Sequence, residues 1–172
     1  MLTSILALLT VLGNFLIAFF VGSVLAKKKG SFFALARPQN FLLAAFLIAL
    51  SSLVFSLYYS EVLGYAPCTL CWIQRIFMYS QVFILGYAWI RNEVTIAPYS
   101  ILLSSFGALV ALYNHYLQLG GDPLIPCGAG AVSCAQRFVF MFGYVSIPWM
   151  SFTAFALMII FALGMRQKTD KK

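Results

Sequence analysis

Apolar residues are concentrated in five long stretches, and most polar residues lie in the connections between them. The stretches are approximately Leu2–Ala26, Phe41–Ser60, Leu70–Ile90, Ile96–Leu119 and Gly143–Met165. Each is close to the roughly 20 residues that a helix needs to cross a bilayer core of about 30 Å. The pattern therefore predicts five transmembrane helices in one helical bundle.

Composition supports this prediction. Of the 172 residues, 63% are hydrophobic and only 9% are charged. A soluble domain of this length could not bury so much apolar surface. We therefore expect an integral membrane protein.

The basic residues predict the orientation of the bundle. If the five stretches alternate in direction, one side of the membrane receives Lys27, Lys28, Lys29, Arg37, Arg91, Arg166, Lys168, Lys171 and Lys172. The other side receives Arg75 and Arg137. Lys and Arg accumulate in cytoplasmic connections, so the first side is predicted to be cytoplasmic and the N-terminus extracytoplasmic. The net charge of +7 then indicates membrane topology rather than nucleic-acid binding.

The first stretch could also be a cleaved signal peptide, because Val24-Leu25-Ala26 resembles a cleavage site. A signal peptide has a basic segment before its apolar part, and "MLTSILALL" has none. The three consecutive lysines follow the stretch instead. We therefore predict a retained helix.

The predicted orientation places all four cysteines outside. Cys68 and Cys71 close the second connection, and Cys127 and Cys134 lie in the fourth. Cysteines that are grouped on the oxidising face of a membrane indicate disulfide chemistry.

Two other uses of the cysteines compete with redox chemistry. A zinc site is disfavoured because six residues separate Cys127 from Cys134, whereas zinc-binding pairs are usually separated by two to four. We therefore predict no metal. A purely structural disulfide is an alternative for the loop cysteines. A bond within C-x-x-C closes a very small loop, gains little chain entropy and is readily reduced, which favours a redox role for Cys68 and Cys71.

The segment "PCTLCWIQR" combines this dithiol with a positive charge. Pro67 predicts a helix that has proline in its first turn, which places both cysteines where free N–H groups and the helix dipole favour a thiolate. Cys68, Cys71 and Arg75 share one helical face, with Arg75 about one turn, roughly 6 Å, beyond Cys71. Arg75 is expected to offset the charge of a thiolate or of a reduced cofactor; the alternative is that its side chain only extends to the membrane surface.

The sequence contains no motif that identifies a protein-bound electron acceptor. The chain contains neither the C-x-x-C-H motif of covalent haem attachment nor a Gly-rich dinucleotide-binding motif. A lipid-soluble quinone is therefore the favoured acceptor for a thiol that lies next to the membrane.

These motifs together resemble the disulfide bond formation protein B (DsbB) family, in its Gram-positive-type (BdbC-like) branch. "PCTLCWIQRIFMYS" resembles the motif C-x-L-C-W-x-Q-R of that branch, and "YNHYLQL" resembles the outer end of the next helix. "VSCAQRF" and "FGYVSIPWMS" resemble the last loop and the start of the final helix. The resemblance extends over about Phe41–Met165.

The resemblance implies an all-α integral membrane protein: a four-transmembrane-helix bundle plus one additional N-terminal transmembrane helix. Residues 1–40 would form the extra helix and a basic cytoplasmic loop, residues 41–165 the four-helix domain, and residues 166–172 a basic cytoplasmic tail. Members of the family are quinone reductases that re-oxidise a secreted thiol oxidoreductase. The role of the additional helix does not follow from the resemblance.

The resemblance also implies roles for individual residues. Cys68 and Cys71 would form the disulfide beside the quinone, with Cys71 nearer to the ring. Cys127 and Cys134 would form the shuttle disulfide; the partner's thiol would attack Cys127, and Cys134 would exchange with Cys68. The shuttle cysteines are closer in sequence here than in the best-known enterobacterial member. Their reach toward Cys68 and the partner is therefore expected to follow a different geometry.

Three further residues are implied to surround the quinone, which would be ubiquinone or menaquinone. Arg75 would hold it, His115 would lie near its head group, and Trp72 would flank it. An interfacial histidine that is hydrogen-bonded to a neighbouring helix is the alternative for His115. The implied partner is an extracytoplasmic thioredoxin-fold dithiol oxidase (DsbA- or BdbD-like), and the implied location is the bacterial cytoplasmic membrane.

Two other functions remain as alternatives. A vitamin K epoxide reductase-like enzyme shares the helical bundle and the quinone chemistry, but there the loop cysteines precede the C-x-x-C helix, whereas here they follow it. A non-enzymatic membrane scaffold that has structural disulfides is the second alternative.

Overall fold

The computed structural model describes residues 2–25, 37–123 and 133–169, so Cys127 lies outside the described residues. Five α-helices dominate it: α1 (Leu2–Leu25), α2 (Pro38–Leu57), α3 (Thr69–Arg91), α4 (Ala97–Gln118) and α5 (Ile147–Thr169). A π-helical turn, Tyr58–Val62, extends α2, and a 3₁₀ turn, Val94–Ile96, precedes α4. The strands β1 (Phe140–Met141) and β2 (Val145–Ser146) form a short antiparallel hairpin.

Four of the described helical segments are long and apolar enough to cross a membrane: Thr3–Val24, Pro38–Val62, Val94–Gln118 and Ile147–Arg166. α3 has 23 residues and is therefore about 34 Å long, which is also sufficient. It is less apolar because it carries Gln74, Arg75 and Gln81, and all three are buried inside the bundle. The chain is thus an all-α integral membrane protein, as predicted.

Two of the differences between the predicted and the observed helix boundaries come from special backbone conformations. The last helix begins at Ile147, because Gly143 has a positive φ of 78° and turns the chain between the two strands of the hairpin. The second helix ends in a π-helical turn rather than at a simple cap. Both differences lie at the end of the bundle that carries the cysteines.

Close approach and hydrogen bonds hold the helices together. At Gly107 of α4, a Cβ atom would lie 2.4 Å from the ring of Phe155 of α5, so the absence of a side chain allows these helices to pack. Between α3 and α4, the fully buried Gln81 donates to the carbonyl oxygen of Ser100 (2.8 Å) and to Ser104 Oγ (2.7 Å), and it accepts from Ser100 Oγ (3.0 Å). In an apolar surrounding such satisfied polar groups fix the relative position of two helices.

α1 packs along α5. At Gly13 a Cβ atom would lie 2.8 Å from Thr153 Cγ2, and Thr153 Oγ1 donates to Asn14 Oδ1 at 2.9 Å. The outer face of α1 is strongly apolar and exposed, as expected for a surface that faces lipid: it carries Ile5, Leu8, Leu12, Phe15, Leu16 and Phe19. The additional helix is thus an integral part of the packed structure.

Candidate active site

Cys68 and Cys71 lie at the N-terminus of α3. Cys68 is the N-cap in an extended conformation, and its Sγ accepts the backbone N–H of Cys71 at 3.4 Å. The prediction that Pro67 occupies the first helical turn is therefore wrong, because the helix begins at Thr69 and the Cys68 sulfur caps it. The two Sγ atoms are 3.0 Å apart, so a small movement would bring them to the roughly 2.05 Å of a disulfide.

The two thiols are not equivalent. Cys68 is buried and donates to Cys71 Sγ; this hydrogen bond and the burial raise the pKa of Cys68. In the reduced pair Cys68 therefore keeps its proton at neutral pH. Cys71 is the acceptor of that hydrogen bond and is the sulfur better placed to carry a negative charge.

Asn114 of α4 contacts the same sulfurs and was not predicted from the sequence. Its Nδ2 lies 3.5 Å from Cys71 Sγ and 3.9 Å from Cys68 Sγ, and the side chain is 0% exposed. Within the described part of the chain, its Oδ1 has no hydrogen-bond partner. A neutral amide in a transmembrane helix gives no sequence signal of its own, although its position beside His115 in "YNHYLQL" could have pointed to it.

Cys134 reaches the dithiol from the loop before the hairpin. It is 1% exposed and belongs to one cluster of buried residues with Cys68 and Leu117, against which Cys71 packs. Residues that are separated by more than 60 positions in the sequence are thus brought together, with Cys134 next to Cys68.

The segment that carries Cys134 is anchored to the ends of two helices. Gln118 Nε2 donates to the carbonyl oxygen of Gln136 at 3.1 Å, and Arg137 Nε donates to the carbonyl oxygen of Gln118. Phe138 stacks on Tyr65 with 4.8 Å between the ring centroids. These contacts hold Cys134 against the start of α3.

Arg75 is 9% exposed and lies within the bundle rather than at the surface. Its Nε donates to Ser56 Oγ and its Nη2 to the carbonyl oxygen of Ser56, both at 2.9 Å, which fixes the guanidinium against α2. These bonds use two of the five N–H groups of arginine.

A cavity of about 270 Å³ lies beside the cysteines. Its polar lining includes Cys68, Cys71, Cys134, Gln74, Arg75 and Ser56. Its apolar lining comes from four helices, with Leu6 and Leu9 of α1, Ile48 and Phe55 of α2, Met78 of α3, and Ala154 and Leu157 of α5 among it. Three of the four predicted redox cysteines and the predicted counter-charge therefore share one cavity.

Two predicted residues lie elsewhere. Trp72 is 54% exposed, and its ring centroid is 5.2 Å from the guanidinium carbon of Arg75, on the outside of the bundle. His115 is buried; its Nδ1 is 2.9 Å from Ser146 Oγ, and its ring contacts Trp149 with 4.9 Å between the centroids. Neither residue is among the described residues that line the cavity. His115 instead has a hydrogen bond to β2, whereas the alternative describes one to a neighbouring helix.

A family model described as disulfide bond formation protein DsbB matches residues 38–165. The chain belongs to the DsbB family. It is 39% identical over 130 residues to the probable disulfide formation protein C of Halalkalibacterium halodurans, a match that covers 74% of this chain and 93% of that protein. It is 38% identical over 124 residues to disulfide bond formation protein C of Bacillus subtilis, covering 70% and 88%. No solved structure matches the chain significantly.

Family membership supports an oxidoreductase role in disulfide bond formation. The match begins at residue 38 and therefore includes α2 to α5 but not α1. The cavity is thus formed by the family's helices together with a helix that lies outside the matched region.

Proposed function

We propose that this protein is a membrane disulfide:quinone oxidoreductase that re-oxidises an extracytoplasmic DsbA-like dithiol protein. The observation that supports this best is the grouping of Cys68, Cys71 and Cys134 beside a cavity that Arg75 also lines. A structural role would not require two neighbouring thiols and a third cysteine in contact with them.

The lining of the cavity fits a quinone. Gln74 Nε2 is buried without a hydrogen-bond partner among the described residues, and Gln74 lines the cavity beside Arg75. These two side chains offer N–H groups to the oxygen atoms of a quinone ring, and the apolar lining suits its hydrocarbon tail. A quinone supplies the capacity to accept two electrons and two protons.

The proposed transfer begins with the partner's dithiol. One partner thiolate attacks Cys127 in the Cys127–Cys134 disulfide and releases Cys134; the second partner thiol then closes the partner's disulfide and releases Cys127. The Cys134 thiolate attacks Cys68 Sγ and breaks the Cys68–Cys71 bond, so Cys71 leaves as a thiolate. Cys127 resolves the mixed disulfide by attacking Cys134, which leaves Cys68 and Cys71 reduced.

The environment of Cys71 favours this direction of attack. Cys134 packs next to Cys68, whereas Asn114 Nδ2 is nearer to Cys71 Sγ. The leaving thiolate therefore forms beside an amide donor, and Arg75 supplies a positive charge in the same cavity. A quinone held beside Arg75 and Gln74 would accept two electrons and two protons from the reduced pair, and Cys68 and Cys71 would then return to the disulfide.

The proposed location is the bacterial cytoplasmic membrane, with the cysteines on the extracytoplasmic side. The nine basic residues on the opposite side support this orientation. Arg91 is the last residue of α3 and therefore lies at the other end of this helix from Cys71.

A purified assay tests the proposal. The protein is mixed with a quinone and a reduced thioredoxin-fold dithiol protein, and quinone reduction is followed by absorbance. Cys71→Ser should abolish quinone reduction by every donor, because no thiolate can then deliver electrons to the acceptor. Cys134→Ser should block oxidation of the protein donor while small dithiols still reduce the Cys68–Cys71 disulfide directly.

Two results would contradict the proposal. Absence of quinone reduction by the parent protein with every dithiol donor would favour the scaffold alternative. A Cys134→Ser variant that oxidises the protein donor at the parent rate would show that the loop disulfide is only structural.

A further inference from the structure

The cavity beside the redox cysteines is lined in part by α1, the helix outside the family match. Leu6, Leu9 and Thr10 of α1 face it, together with residues of α2, α3 and α5. Leu6 and Thr10 are buried and are therefore covered by the rest of the protein, whereas Leu9 lines the cavity with 55% of its surface exposed. α1 therefore contributes to the cavity itself and not only to the outer surface.

Specific contacts fix α1 in this position. Gly13 allows a close approach to Thr153 and Leu157 of α5, and Asn14 accepts a hydrogen bond from Thr153. About two turns nearer to the cysteines, Leu6 packs in a second apolar cluster with Tyr59 and Val139. α1 is thus attached at both sides of Thr10, by α5 and by the elements around the cysteines.

The α1 side chains that line the cavity present an apolar surface to it. Thr10 Oγ1 donates to the carbonyl oxygen of Leu6 within its own helix at 2.8 Å, so its hydroxyl is satisfied and its methyl group remains for contact. Leu6 and Leu9 add aliphatic carbon. The charged group of the cavity, Arg75, and the amide of Gln74 come from α3, and the hydroxyl of Ser56 comes from α2.

We propose that α1 is a specificity-determining wall of the quinone site, which contacts the hydrocarbon side chain of the quinone and restricts the tails that fit beside the ring. This proposal rests on the proposed function and adds a role for the helix outside the family match. Quinone rings are held by α3, and quinone tails are selected by Leu6, Leu9 and Thr10.

Two pairs of matched variants of the full-length protein test the wall. Thr10→Phe places bulk in the cavity without removing a partner from another element, and its control is Leu8→Phe, because Leu8 is 55% exposed on the lipid-facing side. Gly13→Leu forces α1 away from α5, and its control is Gly22→Leu, because a Cβ at Gly22 has nothing within 4 Å.

The measurement is steady-state kinetics with two quinones. Both have the same ring, but one carries a long isoprenoid tail and the other a short tail. For Thr10→Phe and Gly13→Leu, the KM for the long-tailed quinone should change by about tenfold, with a smaller change for the short-tailed one. The KM for the dithiol donor should stay at the parent value, since a merely structural defect would change the KM values for both the quinone and the donor. Both controls should behave as the parent.

A photoreactive group on the quinone tail gives a second measurement that requires no substitution. Irradiation of the parent protein followed by peptide mapping should label α1 as well as the family helices. The inference is overturned if the parent reduces quinone but the tail labels only α2 to α5, or if Thr10→Phe and Leu8→Phe have equal KM values for both quinones. A parent protein that reduces no quinone would instead overturn the proposed function.

Discussion

Replacement of Asn114 by leucine should slow quinone reduction by removing the amide donor to the Cys71 sulfur. Leucine has a similar volume, and the amide that it replaces is buried with its Oδ1 unpaired among the described residues. The substitution therefore leaves no new unsatisfied group behind, and the fold should tolerate it. The main effect of Asn114→Leu is therefore the loss of the hydrogen-bond donor to the sulfur of Cys71.

The expected magnitude follows from the contacts. A hydrogen bond to a charged group contributes about 1.5–3 kcal/mol. The Nδ2–Sγ distances of 3.5 and 3.9 Å are long, so the lower part of this range applies. Since about 1.4 kcal/mol corresponds to a factor of ten, the rate at neutral pH should fall by about tenfold.

The assay is quinone reduction across pH, with Asn114→Asp as the comparison. The deficit of Asn114→Leu should shrink as the pH rises, because a more alkaline medium ionises the thiol without the amide. Aspartate has nearly the same shape as asparagine but places an acceptor beside the sulfur, so its deficit should exceed that of leucine. Equal rates for Asn114→Leu and the parent at every pH would refute the reasoning.

Two further predictions concern the charge at the site and the orientation of the bundle. Arg75→Lys should raise the KM for quinone, because lysine keeps the charge but cannot hold Ser56 through two N–H groups while facing the cavity. Arg75→Gln should raise this KM and should in addition slow the reaction at neutral pH. Unchanged KM values for quinone in both variants would show that Arg75 does not belong to the quinone site. An impermeant thiol reagent that is applied to intact spheroplasts after reduction should label Cys71. Labelling that requires permeabilisation would refute the proposed orientation.

The sequence was sufficient for the helices and for the common face of the C-x-x-C cysteines and Arg75, because both depend on local pattern. Long apolar stretches indicate membrane helices whatever their neighbours are, and the spacing of Cys68, Cys71 and Arg75 fixes their common face. The cavity confirms that face, since all three residues line it.

Contacts between distant elements could not be predicted in the same way. Asn114 approaches Cys71 only because α4 packs beside α3, and no periodicity in either helix records that distance. The position of His115 against Ser146 depends on a hairpin that replaced the predicted start of the last helix. The contribution of α1 to the cavity likewise requires its packing on α5.

The hydrogen bonds of Gln81 have a consequence for how the chain enters the bilayer during synthesis. α3 is the least apolar of the long helices, and the described partners of the Gln81 amide, Ser100 and Ser104, both lie on α4. A lone α3 released into lipid would carry this amide unsatisfied, at a cost of several kcal/mol. We therefore expect α3 to stay at the translocon until α4 has been made, and the two helices to enter the lipid together as a hairpin.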